Sequence, residues 1–332
     1  MRVLMEVFPF AFVAWCGFAM ITALFCALLY PWVCPRLLLL PPALRANQAL
    51  VWAVAPAAAG VLLTGFIFLP PVLSYLGVAP DHCQPAGVDF SYHCLLHPFA
   101  VMERDLPWFL LLPLSGLALF FLSRMVWELL RAHRLIRALS LAGSPDIFRG
   151  IWVVESEWPL ALTSGFSQPR IFISTKLLRD LSPPQLAAVL AHERAHFYRY
   201  DPARYFIARA AAGLHISWLR RKLLEDLSLA AEQACDEEAA RQVGDRLLVA
   251  DTIVQVERWC CRQRRSAPVP LPSFMGSQVV ARVEFLLASP QKAQWSYPRM
   301  LGVCTGVALS GLLLAAEPLH QLTEIILGFL AR

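Results

Sequence analysis

Apolar residues in this chain fall into long blocks set apart by polar stretches. Four blocks are long enough to cross a bilayer, at about Phe8 to Val33, Ala49 to Leu76, Trp108 to Leu130 and Met300 to Ala316. A soluble core of this length does not call for so many uninterrupted runs, so they predict about four transmembrane helices. The first is too long to be the apolar part of a cleaved signal peptide, and no A-x-A-like site follows it. Between the third and fourth blocks the pattern changes. Gly150 to Glu155, Pro159 to Thr163 and Arg170 to Ser174 are short β-branched or aromatic runs broken by turn residues, which predicts a three-stranded antiparallel sheet. Leu181-Ser182-Pro183-Pro184-Gln185 then supplies a Ser N-cap, Pro at the first helical position and Gln at the third. A helix should start there, continued by the stripe Leu186, Val189 and Leu190. Ala203 to Leu219 is nearly apolar but carries Arg204 and Arg209, which fits either a core helix or one at the bilayer interface. From Pro318 to Arg332, Leu319, Leu322, Ile326, Phe329 and Leu330 alternate with His320, Gln321 and Glu324, as in an interfacial amphipathic helix.

The expected fold class is α+β, mostly helical, in a polytopic membrane protein of three parts. Residues 1–131 form an N-terminal membrane region with three transmembrane helices and an outer loop at 79–106. Residues 132–299 form a folded domain, and residues 300–332 hold the fourth span and the tail.

Composition supports that division, with 58% hydrophobic and only 16% charged residues. Charge sets the orientation. All of the 29 Lys and Arg except Arg2, Arg36, Arg45, Arg104 and Arg332 lie between Arg124 and Arg299, whereas the 79–106 loop sets Arg104 against Asp81, Asp89, Glu103 and Asp105. By the positive-inside rule residues 34–47 and 131–299 face the cytoplasm and both termini face out, as in a multi-pass protein of a bacterial inner membrane. The net charge of +5 is explained by this topology and implies no direct nucleic-acid partner. Cys83 and Cys94 fall in the outer loop, where a disulfide can form; with His82, His93 and His97 nearby, a Cys/His metal site is the alternative. The other cysteines sit in spans or in a reducing compartment and read as buried apolar residues.

The chemistry lies in His192-Glu193-Arg194-Ala195-His196. On a helix this H-E-x-x-H spacing puts both imidazoles on one face, able to share a Zn²⁺, with Glu193 placed to act as general base and acid on a water molecule in peptide hydrolysis. A third ligand is required. Arg199 and Pro202 stand where a metzincin has Gly and His, so that class is excluded. Glu232 and Asp236, i and i+4 on a strongly helical stretch, are the next candidates: one carboxylate can bind the metal while the other accepts a histidine N–H. His215 is a candidate oxyanion helper by residue type alone, and a structural role suits it better.

Gly165, Pro169-Arg170-Ile171-Phe172-Ile173-Ser174, Leu181-Ser182, Ala188 to Glu193, His196, Asp201 and Glu232-x-Ala234-Cys235-Asp236 together resemble the BlaR/MecR-type antirepressor metallopeptidases, relatives of the HtpX and CAAX-prenyl proteases. The resemblance covers roughly residues 1–290. It implies a gluzincin-like zinc protease domain with one zinc per chain, held by His192, His196 and Glu232, with Glu193 as base and acid and Asp236 behind a ligand histidine. It also implies that Arg170, Ile171, Phe172 and Ile173 form an edge strand able to hold an extended substrate. The best-known members of that family carry a penicillin-binding sensor after the last span, with a Ser-x-x-Lys motif. Ser289-Pro290-Gln291-Lys292 fits the pattern but precedes the fourth block, so no direct β-lactam binding is expected. The function expected is a membrane zinc metalloendopeptidase that transduces a signal by cleaving a winged-helix transcriptional repressor. A quality-control protease of the HtpX sort and a non-catalytic membrane receptor or scaffold are the alternatives, and the intact motif argues against the last.

Overall fold

The computed structural model describes residues 2–75, 77, 108–166, 168–266 and 276–288. The 79–106 segment expected to face out, with Cys83 and Cys94, the Ser289 to Lys292 stretch, the fourth block and the tail lie outside the described residues. The chain forms two compact units, one of residues 1–28, 55–122 and 294–332, the other of residues 29–54 and 123–293.

The first unit contains the N-terminal part of α1 (Arg2–Leu37), the C-terminal part of α2 (Pro42–Tyr75) and the start of α3 (Trp108–Ala142). Gly60 of α2 abuts the indole of Trp15 on α1, where a Cβ would sit 2.9 Å from the ring. A small residue at that point lets the two helices pack backbone to backbone, as spans do in lipid. Met20, Leu24, Phe25 and Leu28 remain exposed. Two described segments, Ala11–Leu37 and Pro42–Ile67, are long and apolar enough to cross a membrane. The predicted polar loop at 34–47 is shorter than expected, because both helices run into it and leave only the turn 38–41 between them. Likewise α3 continues unbroken past residue 131.

The second unit holds a four-stranded mixed sheet of β1 (Gly143–Asp146), β2 (Ile151–Val154), β3 (Ala161–Ser164) and β4 (Arg170–Ser174), in the order β1-β2-β4-β3. This corrects the expected three-stranded antiparallel sheet. β2 and β4 pair in parallel, with Trp152 opposite Phe172, while β3 and β4 form an antiparallel hairpin. The sequence of β1, Gly-Ser-Pro-Asp, carries no strand signal, and its pairing with β2 supplies the order. The expected edge position of Arg170, Ile171, Phe172 and Ile173 is overturned as well: β4 is paired on both sides, and Ile171, Phe172 and Ile173 are all buried, the pattern of a central strand. The edge strands are β1 and β3. Gly165 (φ 126°) makes the β3–β4 turn possible, since a Cβ there would lie 2.7 Å from the Gln168 carbonyl oxygen.

Helices follow the sheet: α4 (Thr175–Asp180), α5 (Pro183–Arg199), α6 (Asp201–Ala211), α7 (Ser217–Val243), α8 (Arg246–Ser266) and α9 (Gly276–Leu287). Ala203 to Leu219 is therefore not one helix: α6 ends at Ala211 and a 3₁₀ turn, Ala212–Leu214, redirects the chain into α7. One apolar cluster, with Ile151, Ile171, Ile173, Leu177 and Leu190, seals the sheet against α4 and α5. A second is built of small residues, Ala188 and Ala191 from α5 with Ala239 and Ala240 from α7, closed by Val249, Ala250 and Leu286. Alanines on both sides let α5 and α7 approach closely, and that contact assembles the site.

Candidate metal centre

α5 starts where the sequence predicts, with Ser182 as N-cap. Pro183 begins the helix, and the Ser182 N–H donates to Gln185 Oε1 at 3.1 Å. Ten residues on, His192 and His196 lie on one face. α7 packs along that face and brings Glu232. The Nε2 atoms of His192 and His196 are 3.2 Å apart, and each lies 3.5 Å from a Glu232 carboxylate oxygen. Ligands about 2.0–2.1 Å from a tetrahedral zinc stand roughly 3.3–3.4 Å from one another. The three donors thus occupy three corners of such a site.

The outer ring nitrogens explain why the inner ones are bare. His192 Nδ1 lies 2.9 Å from Asp236 Oδ1, and His196 Nδ1 lies 2.9 Å from Asp201 Oδ2. A carboxylate only accepts, so each Nδ1 carries the hydrogen and each Nε2 of the neutral ring keeps a lone pair aimed inward. Two lone pairs and a carboxylate converging on one point repel unless a positive charge lies between them. A proton on an imidazole or a metal ion can supply that charge. Burial works against both imidazolium ions, yet Asp236 and Glu232 hold the His192 pKa above its ordinary value, and Asp201 with Cys235 and Glu232 holds that of His196 well above it. Glu232 is correspondingly acidic: burial opposes its charge, but Arg282 and the two histidines outweigh that and keep it well below the carboxylate range. A divalent cation satisfies the same three donors, so the residues fit a zinc ion.

A second group, His196, Asp201 and Cys235, also clusters closely enough to hold a metal. It is the weaker candidate. Burial pushes the Cys235 thiol up to about 11, leaving it protonated, and His196 enters this group through the nitrogen already hydrogen-bonded to Asp201.

Glu193 is buried beside the donors. Thr163, on edge strand β3, directs its hydroxyl at Glu193 Oε2, 2.6 Å away, and at the Glu193 carbonyl oxygen at 3.0 Å. The strand therefore orients the carboxyl group that follows the first histidine. His215, by contrast, is remote in role: its Nε2 faces the carbonyls of Trp52 and Ala53 at 3.1 and 3.3 Å. Trp52 is the residue whose carbonyl would bond the N–H at position 56, and Pro56 has none. His215 supplies the missing donor.

Residues 130–259 match the model for peptidase family M48. The match supports a metallopeptidase, and peptidases of this family are generally zinc-dependent. It spans the sheet, both histidines, Glu193, Glu232 and Asp236. No curated protein and no solved structure matches the chain.

Three contributors escaped the sequence reading of roles. Asp201 appeared there only as part of a motif; it reaches back to His196 because Tyr200, in the left-handed conformation (φ 53°, ψ 36°), ends α5 and starts α6 within one residue. Arg199 and Arg204 flank Asp201 at 3.0 and 3.3 Å; burial opposes the Asp201 charge, but His196 and Arg199 outweigh it and keep the carboxyl acidic. Thr163 lies in a strand whose sequence gives no hint of the site. Arg282 comes from outside the M48 region, on α9, and forms two hydrogen bonds to Asp236 at 2.7 and 2.6 Å. A lone arginine amid Val279, Val280 and Val283 was the available signal.

Proposed function

We propose that the protein is an integral-membrane zinc metalloendopeptidase whose site faces the cytoplasm, and that it transduces a signal by cleaving a transcriptional repressor of the winged-helix type. The observation that carries the proteolytic reading is the convergence of His192 Nε2, His196 Nε2 and Glu232 within 3.5 Å, with buried Glu193 alongside. His192, His196 and Glu232 would hold one zinc, and the ion, when bound, supplies Lewis acidity to the peptide carbonyl and to water. The chain's own residues do the rest. Asp236 and Asp201 fix the two imidazole tautomers, Arg282 fixes Glu232, and Thr163 orients Glu193. Glu193 takes the proton of the attacking water and delivers it to the departing amine. Edge strand β3, which carries Thr163, supports backbone pairing by an extended substrate next to Glu193. The membrane reading rests on the two apolar helices and on the concentration of Lys and Arg between Arg124 and Arg299; α3 and the fourth block complete the proposed set of four spans.

Backbone pairing reads few side chains, and that favours a second reading, a quality-control protease with broad substrates. The test of the proteolytic reading is zinc content with cleavage. The purified full chain should hold about one zinc; His196→Ala and Glu232→Ala should lose it, and Glu193→Ala should keep it while cleaving nothing. Full zinc retention by Glu232→Ala would show that the third ligand lies elsewhere. Cleavage of a co-expressed winged-helix repressor, set against cleavage of an unfolded membrane protein, separates the two readings.

A further inference from the structure

The apolar segment Ala11–Leu37 has 27 residues, about 40 Å at 1.5 Å per residue, which is the thickness of a bilayer with both headgroup layers. With this segment read as a span, a reading shared with the proposed function, the last two turns of α1 lie at headgroup depth. Trp32 and Arg36 stand there, an aromatic and a basic residue suited to that depth. Beside these turns runs the start of α7, joined to α1 by the Tyr30 hydroxyl, which donates to Asp226 Oδ2 at 2.7 Å.

Between the two helices is a cleft of about 510 Å³, within the range of about 300–1,000 Å³ that takes small ligands. Pro31, Pro35, Leu38 and Trp218 give it an apolar wall, and Arg221, Lys222 and Glu225 give it charge. Lys222 is committed, with its Nζ 2.7 Å from Asp226 Oδ1. Arg221 and Glu225 make no hydrogen bond or ion pair among the described residues. They are i and i+4 on one helix face, about 6 Å apart at Cβ. The cleft therefore presents a cation, Arg221, and an anion, Glu225, on one helix face, neither of them hydrogen-bonded among the described residues, with Lys222 close enough to feel the Glu225 charge. A simple anion would meet Glu225 unpaired; a ligand bearing both charges meets neither group unpaired.

We propose that this cleft binds the headgroup of a zwitterionic phospholipid with a primary amine, of the phosphatidylethanolamine type. The phosphodiester pairs with Arg221, the ammonium pairs with Glu225 beside the Trp218 ring, and the glycerol end lies against Pro31, Pro35 and Leu38. Glu225 is two turns before Glu232 on α7, so the lipid would sit on the helix that delivers the third candidate zinc ligand.

The test uses the full chain in a neutral detergent, incubated with phosphatidylethanolamine, phosphatidylglycerol and phosphatidylcholine of identical acyl chains, with bound lipid counted by native mass spectrometry. Phosphatidylethanolamine should be retained at about one per chain, and the other two about tenfold more weakly, the weight of one charge-assisted hydrogen bond. Arg221→Gln should lower its retention about tenfold, and Glu225→Gln should shift the preference to phosphatidylglycerol. Both positions are exposed and their side chains make no hydrogen bond or ion pair among the described residues, so unchanged zinc content in the variants certifies the fold. Equal retention of the three lipids, or variants that bind like the parent, would overturn the proposal. So would displacement by millimolar free phosphoethanolamine, which would make the ligand a soluble one. Extraction of the chain from membranes by alkaline carbonate would defeat the membrane reading itself, a result distinct from a chain that stays in the membrane and selects no lipid.

Discussion

Nη1 of Arg282 lies 2.9 Å from Oε2 of Glu232, the carboxylate oxygen that also faces His192 Nε2. The same guanidinium holds both oxygens of Asp236, the acceptor behind His192. One cation thus sets the rotamers of two carboxylates, one at the candidate metal position and one a step behind it. Both acids and the arginine are largely withdrawn from solvent, so removing any one leaves the others with uncompensated charge.

Arg282→Gln should therefore lower zinc affinity about 10–100-fold, the usual weight of a partner behind a metal ligand. Competition with a chromophoric chelator reads this directly. Arg282→Lys should recover only part of it, because an ammonium cannot span Glu232 and Asp236 with a rigid fork. Wild-type affinity in Arg282→Gln would reduce the clamp to a packing role.

Thr163→Val keeps the side-chain volume and removes the only described hydrogen bond to the Glu193 carboxylate. Zinc content should be unchanged and kcat should fall several-fold, with KM little altered, because the general base is less well aimed. Stability should drop by about 1 kcal/mol. A kcat equal to that of the parent would remove Thr163 from the machinery.

Burial depresses the His215 pKa, and the carbonyls of Ala53 and Trp52 only partly offset this. Its Nδ1 has no partner among the described residues, so protonation would bury a second, unbonded N–H. Because the fold favours the neutral ring, the unfolded chain binds the proton more tightly. The stabilisation is full above about pH 6.5 and is lost as pH falls toward the folded value. His215→Gln keeps an N–H for the Trp52 carbonyl but cannot titrate. The loss of Tm between about pH 7 and about pH 5 should be smaller in His215→Gln than in the parent; equal losses would place the acid sensitivity elsewhere.

Reporter fusions address the orientation. Those after Leu40, in the turn between α1 and α2, and after Ser266, at the end of α8, should behave as cytoplasmic, and one after Ala86 as external. An external signal at Ser266 would put the site out of reach of a cytoplasmic repressor.

Local chemistry made the centre of the site legible in the sequence. The Ser182 to Gln185 box fixes where α5 begins, the four-residue spacing of His192 and His196 fixes their common face, and the same spacing couples Glu232 to Asp236. What was not legible depends on contacts distant in the chain. The parallel pairing of β2 with β4 moves Arg170–Ser174 to the middle of the sheet, and no periodicity within the strand reports its neighbours. Arg282 lies 46 residues from Asp236, and only the packing of α9 on α7 reveals the pair. Asp201 was within reach: Tyr200-Asp201-Pro202 marks a helix restart five residues after His196, and a restart that tight folds the new N-terminus back over the old C-terminus.

The carbonyl of Trp52 waits for a donor 163 positions later in the chain. At synthesis rates of about 5–20 residues per second, α2 is made roughly 8–30 s before His215 emerges. During that interval the Trp52 carbonyl lacks the His215 donor, and water or another polar group must take its place. The nascent chain thus passes through a stage in which α2 is complete in sequence but open at its proline, and translation of the α6–α7 junction closes it.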